Sequence, residues 1–509
     1  MSSFSLQDLL QQLPQYTLFG SSDIPIKAIV YDSRNPIASG TLFVAFKGLS
    51  VDSHRFIPDV IEKGATCVFV EDDAQINIPV SVTTVRVPNG REALAYLSAA
   101  WHNYPASKLT VVGVTGTDGK TSTINLIYHI LRQAGQKVGM ISTVNALIGD
   151  QVLDTGLHVT TPEAPDVQRY LAQMVEAGVE ICLLESTSHG LAQHRVTACD
   201  FDHAVVTNIT HEHLNDHNNS LEEYRLAKAR LFDTLAQQSA ILNTDDWSFQ
   251  FLKQRINQRI TTISYGEEAD ADVRATVIKT SPNNTSFQAE LNGHLYTVES
   301  PLVGHFNVSN MLAALALTVV SLGVDPQPAL DALRQFKGVP GRMERIDLGQ
   351  PFTAIVDFAH APNSLRRALE TVRSLTDQRV IAVFGCAGLR DVEKRTMMGE
   401  IAAELADITI ITAEDPRTEQ LESIMQTTAQ AMQKKGATEG KTFYRVSDRG
   451  RAIYFATQMA DPGDIVIALG KGHEQSMCFG TVEYPWDDRE AMRSALSGNP
   501  QLTLPTANI

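Results

Sequence analysis

Apolar residues along this chain fall into short dense runs separated by longer amphipathic stretches. That alternation predicts strands and helices in turn, the pattern of an α/β protein. Up to about residue 106, runs such as Thr41 to Phe46 and Cys67 to Val70 read as strands. The stretch 86–103 reads as a helix closed by Pro105, because the residue before a proline is pushed away from helical geometry. A second block opens on Lys108 to Val114, continues through a glycine-rich turn into a helix over 120–134, and ends near 345. Its later strands are Ile181 to Leu184 and His203 to Thr207, each running into polar residues. A third block, 346–509, places strands at Thr353 to Asp357, Val380 to Phe384, Ile408 to Thr412 and Asp464 to Leu469, with a helix over 393–406. The expectation is an α/β chain of three domains, 1–106, 107–345 and 346–509. The central one is a P-loop-type domain with a mostly parallel sheet and the last one is Rossmann-like. In such sheets the loops past the carboxyl ends of the strands build the site.

Length fits three domains, since single cores rarely exceed about 250–300 residues, and the chain has 509. With 42 Lys plus Arg against 58 Asp plus Glu, the net charge is −16, so no general affinity for nucleic acid or anionic lipid is expected. A local pocket can still reverse the field. Cys67, Cys182, Cys199, Cys386 and Cys478 are scattered with no CxxC pair, which fits free buried thiols in a reducing compartment. The first residues lack a basic, apolar leader, and no apolar run reaches the length of a membrane span. A cytoplasmic protein with no membrane partner is expected.

The sharpest local motif is Gly113 to Ser122, which contains GxxGxxGKT between a strand and a helix. Glycines at Gly116 and Gly119 let backbone N–H groups converge on phosphate oxygens, and the helix N-terminus adds a favourable dipole. Thr117, Asp118 and Ser122 complete the loop. Lys120 is placed to reach the β and γ phosphates, and the Thr121 hydroxyl suits Mg²⁺. The loop therefore points to ATP. At the end of the next strand Glu185 is placed as a Mg²⁺ ligand or an acceptor behind one. The cluster His211-Glu212-His213-Leu214-Asn215-Asp216-His217 suggests a metal, but it lacks the HExxH spacing of a helical zinc site. By pattern alone Lys228, on a helix, reads as a surface lysine.

In order along the chain stand Asp32-Ser33-Arg34, the phosphate loop, Thr160-Thr161-Pro162, Ser188-His189-Gly190-Leu191 and Tyr224 to Phe232. Gly304 to Asn310, Gly341-Arg342-Met343-Glu344, Asp357 to His360, Gly385 to Asp391, Asp415-Pro416-Arg417 and Gly470 to Glu474 follow. This ordered set resembles the Mur ligase family of ATP-dependent amino-acid ligases, and within it the MurE type, over nearly the whole chain. The resemblance implies that Lys228 is carbamylated and, with Thr121, Glu185 and His213, holds Mg²⁺, two ions in all. It implies that Lys120 serves the γ-phosphate, and that Asn307, Arg342 and His360 serve the nucleotide. Ser33 and Arg34 would begin a uridine-nucleotide site. Thr160, Thr161, Ser188 and Arg195 would hold the muramoyl peptide, and Arg390, Asp415, Arg417, Gly470 and Glu474 the incoming amino acid. The implied reaction passes through an acyl phosphate on a UDP-linked muramoyl dipeptide, in a monomeric enzyme, with the last domain closing over the central one.

Departures from the family pattern bear on the substrate. Glu414-Asp415-Pro416-Arg417 stands where Asp-Asn-Pro-Arg is usual. Arg417 suits a distal carboxylate and so favours meso-diaminopimelate. Asp415 suits a distal ammonium, which lysine, ornithine and diaminopimelate all carry. Phe358, Leu389 and Asn215 also depart from the pattern. A relative that joins an amino acid to another peptide carboxylate is the alternative, and a non-catalytic nucleotide-binding scaffold is a further one.

Overall fold

The computed structural model describes residues 4–48, 51–149, 151–153, 160–210, 217, 220–281, 284–390 and 392–508. Three α/β sheets carry the chain, as the hydrophobic runs predict. By contacts the chain divides into two compact units. One comprises 1–277, 287–298 and 308–333, and the other 278–286, 299–307 and 334–509.

The first sheet has five strands, in spatial order Thr17–Phe19, Thr83–Val87, Cys67–Glu71, Thr41–Val44 and Ala28–Val30. All but its first pair run parallel. The helix Gly90–Trp101 starts where Asn89 accepts the N–H groups of Arg91 and Glu92, and buries Leu94 and Leu97.

The second sheet has eleven strands. Its centre runs Val138–Ile141, Ile181–Glu185, Thr110–Thr115, His203–Val206, Ser239–Asn243 and Thr261–Gly266, all parallel. Val111, Val112 and Val114 are buried alike on both faces, which explains why this strand reads as a continuous apolar run. Gly113 leaves room for Phe201 and Leu231, whose ring and methyl atoms would lie within 3.0 Å of an added Cβ. The strand ends at Thr115, so the glycine-rich loop lies at the carboxyl edge, followed by the helix Lys120–Gln133.

The third sheet has six strands, in the order Glu344–Ile346, Thr353–Asp357, Ile465–Leu469, Val380–Phe384, Ile408–Ile411 and Phe443–Arg445. Only its first pair is antiparallel. Helices Pro362–Ser374, Glu393–Leu405 and Leu421–Lys434 pack with one apolar cluster, and helices Arg449–Met459 and Asp488–Leu496 with another. This is the doubly wound arrangement expected of the last block. Among the described residues no helix is long and apolar enough to cross a membrane. All five cysteines are free and buried.

Candidate active site

In the first unit the phosphate loop is fixed by a later strand end, at Thr207 and Asn208, and by Asn310 of the helix Phe306–Leu315. Gly116 has φ +150° and a Cβ there would lie 1.8 Å from Thr207 Oγ1; Gly119 is left-handed at +79° and a Cβ would meet Asn310 Oδ1 at 2.3 Å. Only glycine fits such a cradle. The Asp118 N–H donates to Asn208 Oδ1 at 2.9 Å, and the Thr117 N–H to the Asn208 carbonyl at 2.7 Å. Thr117 Oγ1 lies 2.8 Å from the Tyr224 hydroxyl. Lys120 Nζ donates to the carbonyls of Gly116 (3.1 Å) and Thr117 (2.8 Å), so its charge sits at the mouth of the loop. Ser122 is half-buried in the first turn of the helix.

The metal-ligand candidates gather beside this loop. Glu185, 1% exposed, accepts the Thr121 hydroxyl on one oxygen at 2.9 Å and the Thr143 N–H on the other at 3.0 Å. Lys228 corrects the surface reading, for it is 1% exposed and its Nζ donates to the Gly116 carbonyl at 2.5 Å. Its ammonium also lies 4.6 Å from the centre of the Tyr224 ring. The helix Leu221–Arg230 is capped by Ser220 and buries Tyr224, Ala227, Lys228 and Ala229. A polar-looking sequence hides this inward face because its buried members include a lysine and two alanines. The helix passes directly into a π turn at Leu231–Leu235, a form that clusters near functional sites. His213 and its neighbours 211–216 lie outside the described residues. Among the described residues no group of three His, Cys, Asp or Glu forms a metal cluster. The oxygens of Thr121 and Glu185 are hard donors of the kind Mg²⁺ takes.

A polar line leads away from Glu185. Thr143 Oγ1 donates to Thr160 Oγ1 at 3.2 Å, and Thr161 Oγ1 to the Glu185 carbonyl at 2.9 Å. Arg195 donates to the Thr161 carbonyl at 2.8 Å and pairs with Glu163 at 2.7 Å. Ser188 lies 3.1 Å from His217 Nε2. Of the four residues expected to hold the muramoyl peptide, Thr161 and Arg195 touch, Thr160 adjoins Thr161 in the chain, and Ser188 follows Thr187, whose hydroxyl lies 3.0 Å from Thr161 Oγ1. Arg34 instead pairs with Asp32 of its own turn at 2.5 Å, its side chain 88% exposed. That contact holds the Asp32 carboxyl near 2. Ser33 is half-buried.

The second unit holds the remaining candidates. Asp415 and Arg417 both adopt left-handed backbone (φ +40° and +51°), a strained state that clusters at ligand-binding loops. Asp415 already takes an ammonium from within the protein on one of its oxygens. Its Oδ1 accepts Lys471 Nζ and the Cys478 N–H, each at 3.0 Å, and Lys471 is shared with Glu474 at 2.5 Å. Arg417 donates to the Gly388 carbonyl at 3.1 Å, while Arg390 on the same loop is exposed. A Cβ on Gly470 would meet Glu414 Oε2 at 2.8 Å. That oxygen is buried with no hydrogen-bond partner, and burial raises the Glu414 carboxyl to about 7. Arg342 covers the Phe358 ring at 4.5 Å, with the rings of His360 and His473 at 4.5 and 4.9 Å. Burial lowers both histidines to about 4, so both are neutral imidazoles. Asn307 donates to the Val303 carbonyl at 2.8 Å.

Sequence reasoning gave no role to Asn208, Tyr224 and Asn310, which shape the phosphate loop from distant parts of the chain. Asn310 stands inside the Gly304 to Asn310 motif, three residues from the asparagine singled out there.

Three family models match the chain: the Mur ligase family catalytic domain at 25–103, the Mur ligase middle domain at 114–318, and the Mur ligase glutamate ligase domain at 341–472. A relative from Roseiflexus sp. (strain RS-1), UDP-N-acetylmuramyl-tripeptide synthetase, is 40% identical over 97% of this chain and 98% of its own. The chain belongs to the Mur ligase family. Another relative of this Mur ligase is the UDP-N-acetylmuramoyl-L-alanyl-D-glutamate--2,6-diaminopimelate ligase of Geobacillus thermodenitrificans (strain NG80-2), 39% identical over 96% of this chain and 99% of its own. A solved structure of a 2,6-diaminopimelate ligase of that name matches this Mur ligase with a TM-score of 0.68 and 28% identity. It covers 98% of this chain and 99% of its own.

Proposed function

We propose that this Mur ligase joins meso-diaminopimelate to UDP-N-acetylmuramoyl-L-alanyl-D-glutamate at the expense of ATP, in peptidoglycan precursor synthesis. The single observation that carries the reading is the continuous line from the phosphate loop through Thr121 and Glu185 to Thr160, Thr161 and Arg195. It sets a triphosphate cradle beside a row of donors suited to an anionic peptide. Relatives named for this reaction, similar over nearly the full chain, support it.

The substrate carboxylate attacks the γ-phosphate of ATP, the bond to the β-phosphate breaks, and an acyl phosphate and ADP result. The incoming amine then attacks the acyl carbon and phosphate leaves. No side-chain nucleophile is needed, so the protein's work is positioning and charge neutralisation. Thr121, Glu185, His213 and Lys228 would hold Mg²⁺, which supplies neutralisation of phosphoryl charge. Lys228 as an ammonium cannot ligate a cation, whereas a carbamate on its buried nitrogen presents oxygen. Lys120 keeps a positive charge at the loop mouth. Arg417 would pair with the distal carboxylate of the amino acid, beside Gly470, Glu474 and Arg390. Arg342 and His360 would line the nucleotide. The uridine end would lie at Ser33 and Arg34 in a domain 1–106, ahead of domains 107–345 and 346–509. The enzyme works as a cytoplasmic monomer, and its free buried thiols fit a reducing compartment.

The test is phosphate release from ATP with the muramoyl dipeptide and an amino acid supplied together. Release that requires all three supports the reading. Release with a different acceptor peptide, and none with the muramoyl dipeptide, refutes it.

A further inference from the structure

Arg449 is fully buried at the N-terminus of the helix Arg449–Met459, and nothing in its sequence setting marks it. Its guanidinium makes four bonds in one plane. Nε and Nη2 donate to the two oxygens of Asp488 at 2.7 and 2.6 Å. Nη1 donates to the Ala413 carbonyl at 3.1 Å, and Nη2 also donates to the Leu469 carbonyl at 2.8 Å. Asp488 is itself fully buried and accepts the Trp486 indole N–H at 2.8 Å. The helix end is anchored on its other side, where Asp448 accepts the Arg451 N–H and the Thr506 hydroxyl.

The two carbonyls are what make this pair informative. Ala413 immediately precedes Glu414 to Arg417, and Leu469 immediately precedes Gly470 to Glu474. These residues follow different strands, Ile408–Ile411 and Ile465–Leu469, which are not neighbours in the sheet, since Val380–Phe384 lies between them. One planar fork, oriented by a bidentate carboxylate, ties the roots of both loops together. A lysine has the charge but not the fork. A merely structural ion pair this deep is often replaceable by apolar packing, because desolvation offsets the attraction. Four directed bonds, two of them to carbonyls that open the candidate loops, point to a geometric role.

We infer that Arg449, oriented by Asp488 and Trp486, is a positioning residue that fixes the spacing of the two amino-acid-binding loops. The inference deepens the proposed function, because it rests on the reading of those loops as the amino-acid site. The experiment uses the full chain with Arg449→Lys and the milder Trp486→Phe. Hydrogen exchange is followed over 413–419 and 469–475, alongside steady-state kinetics with diaminopimelate. Both loops are expected to exchange faster together, with the strand Thr110–Thr115 unchanged. The KM for the amino acid is expected to rise about tenfold, with the KM for ATP held within about twofold. Trp486→Phe moves both readouts in the same direction by less, and carries the test if Arg449→Lys does not fold. Unchanged exchange in the loops, or loosened loops with an unchanged amino-acid KM, overturns the inference. So does loss of protection throughout 334–509 in both variants, because the pair would then hold the domain rather than the loops. Joint loosening of the loops in an enzyme whose wild type ligates no diamino acid supports the inference and refutes the substrate reading.

Discussion

The phosphate loop takes its shape from backbone, because its glycines have no room for a Cβ and a helix N-terminus follows at once. In the loops after Ile408–Ile411 and Ile465–Leu469, charged side chains answer one another, Asp415 by Lys471 and Lys471 by Glu474, and the pair Arg449–Asp488 lies buried behind them. The first arrangement suits phosphate, because a helix N-terminus favours an anion. The second fixes a balance of charges, so one substitution shifts its preference without dismantling it. The comparison teaches where specificity is stored. On the proposed function, the ATP chemistry is built into the chain path, and the choice of amino acid into a few side chains.

Breaking the phosphate side has the largest expected effect. Lys120→Ala lowers kcat about 10³-fold with little change in the melting temperature, measured by phosphate release. Lys228→Ala lowers it at least about 100-fold, and stripping bicarbonate from wild-type enzyme lowers activity reversibly. Activity that persists in Lys228→Ala would mean its burial serves packing alone. On the other side, Arg417→Ala lowers kcat/KM for diaminopimelate about 10- to 100-fold and that for lysine far less. Equal losses for both would show that Arg417 serves the loop through Gly388 rather than the substrate.

A smaller effect tests the charge balance itself. The Glu414 carboxyl is raised to about 7 by burial, so the folded state holds its proton where the unfolded chain has released it. Its contribution to stability is therefore lost as pH rises from the ordinary carboxyl range through 7. Glu414→Gln removes this penalty, and its stability relative to wild type, from urea midpoints, rises between pH 5 and pH 8. A constant difference across that range would contradict the assignment. The smallest expected effect is Asp415→Asn. The amide oxygen still accepts from Cys478, and Lys471 keeps Glu474, so the amino-acid KM changes less than about fivefold.

Much of this was legible in the sequence for a physical reason. The phosphate loop is local: Gly116, Gly119, Lys120 and Thr121 act through neighbouring backbone, so spacing alone reveals them. The inner strands of the central sheet, Thr110–Thr115, Ile181–Glu185 and His203–Val206, are buried on both faces and read as apolar runs. What spacing could not reveal is long-range. Lys228 looks exposed until its helix is packed with Tyr224 inward. The partner of Asp415 is not visible locally, because Lys471 comes 56 residues later. Arg449 carries no local signal, because its partners are two carbonyls and a carboxylate from three other segments. The resemblance to Mur ligases brought residues such as Lys228 into view that pattern alone would have passed over.

The most direct test supplies ATP, the muramoyl dipeptide and an equimolar mixture of meso-diaminopimelate, lysine and ornithine, and identifies the product by mass. The account predicts the diaminopimelate tripeptide as the dominant product. A product dominated by lysine or ornithine, or an even mixture of diaminopimelate and lysine, would contradict it.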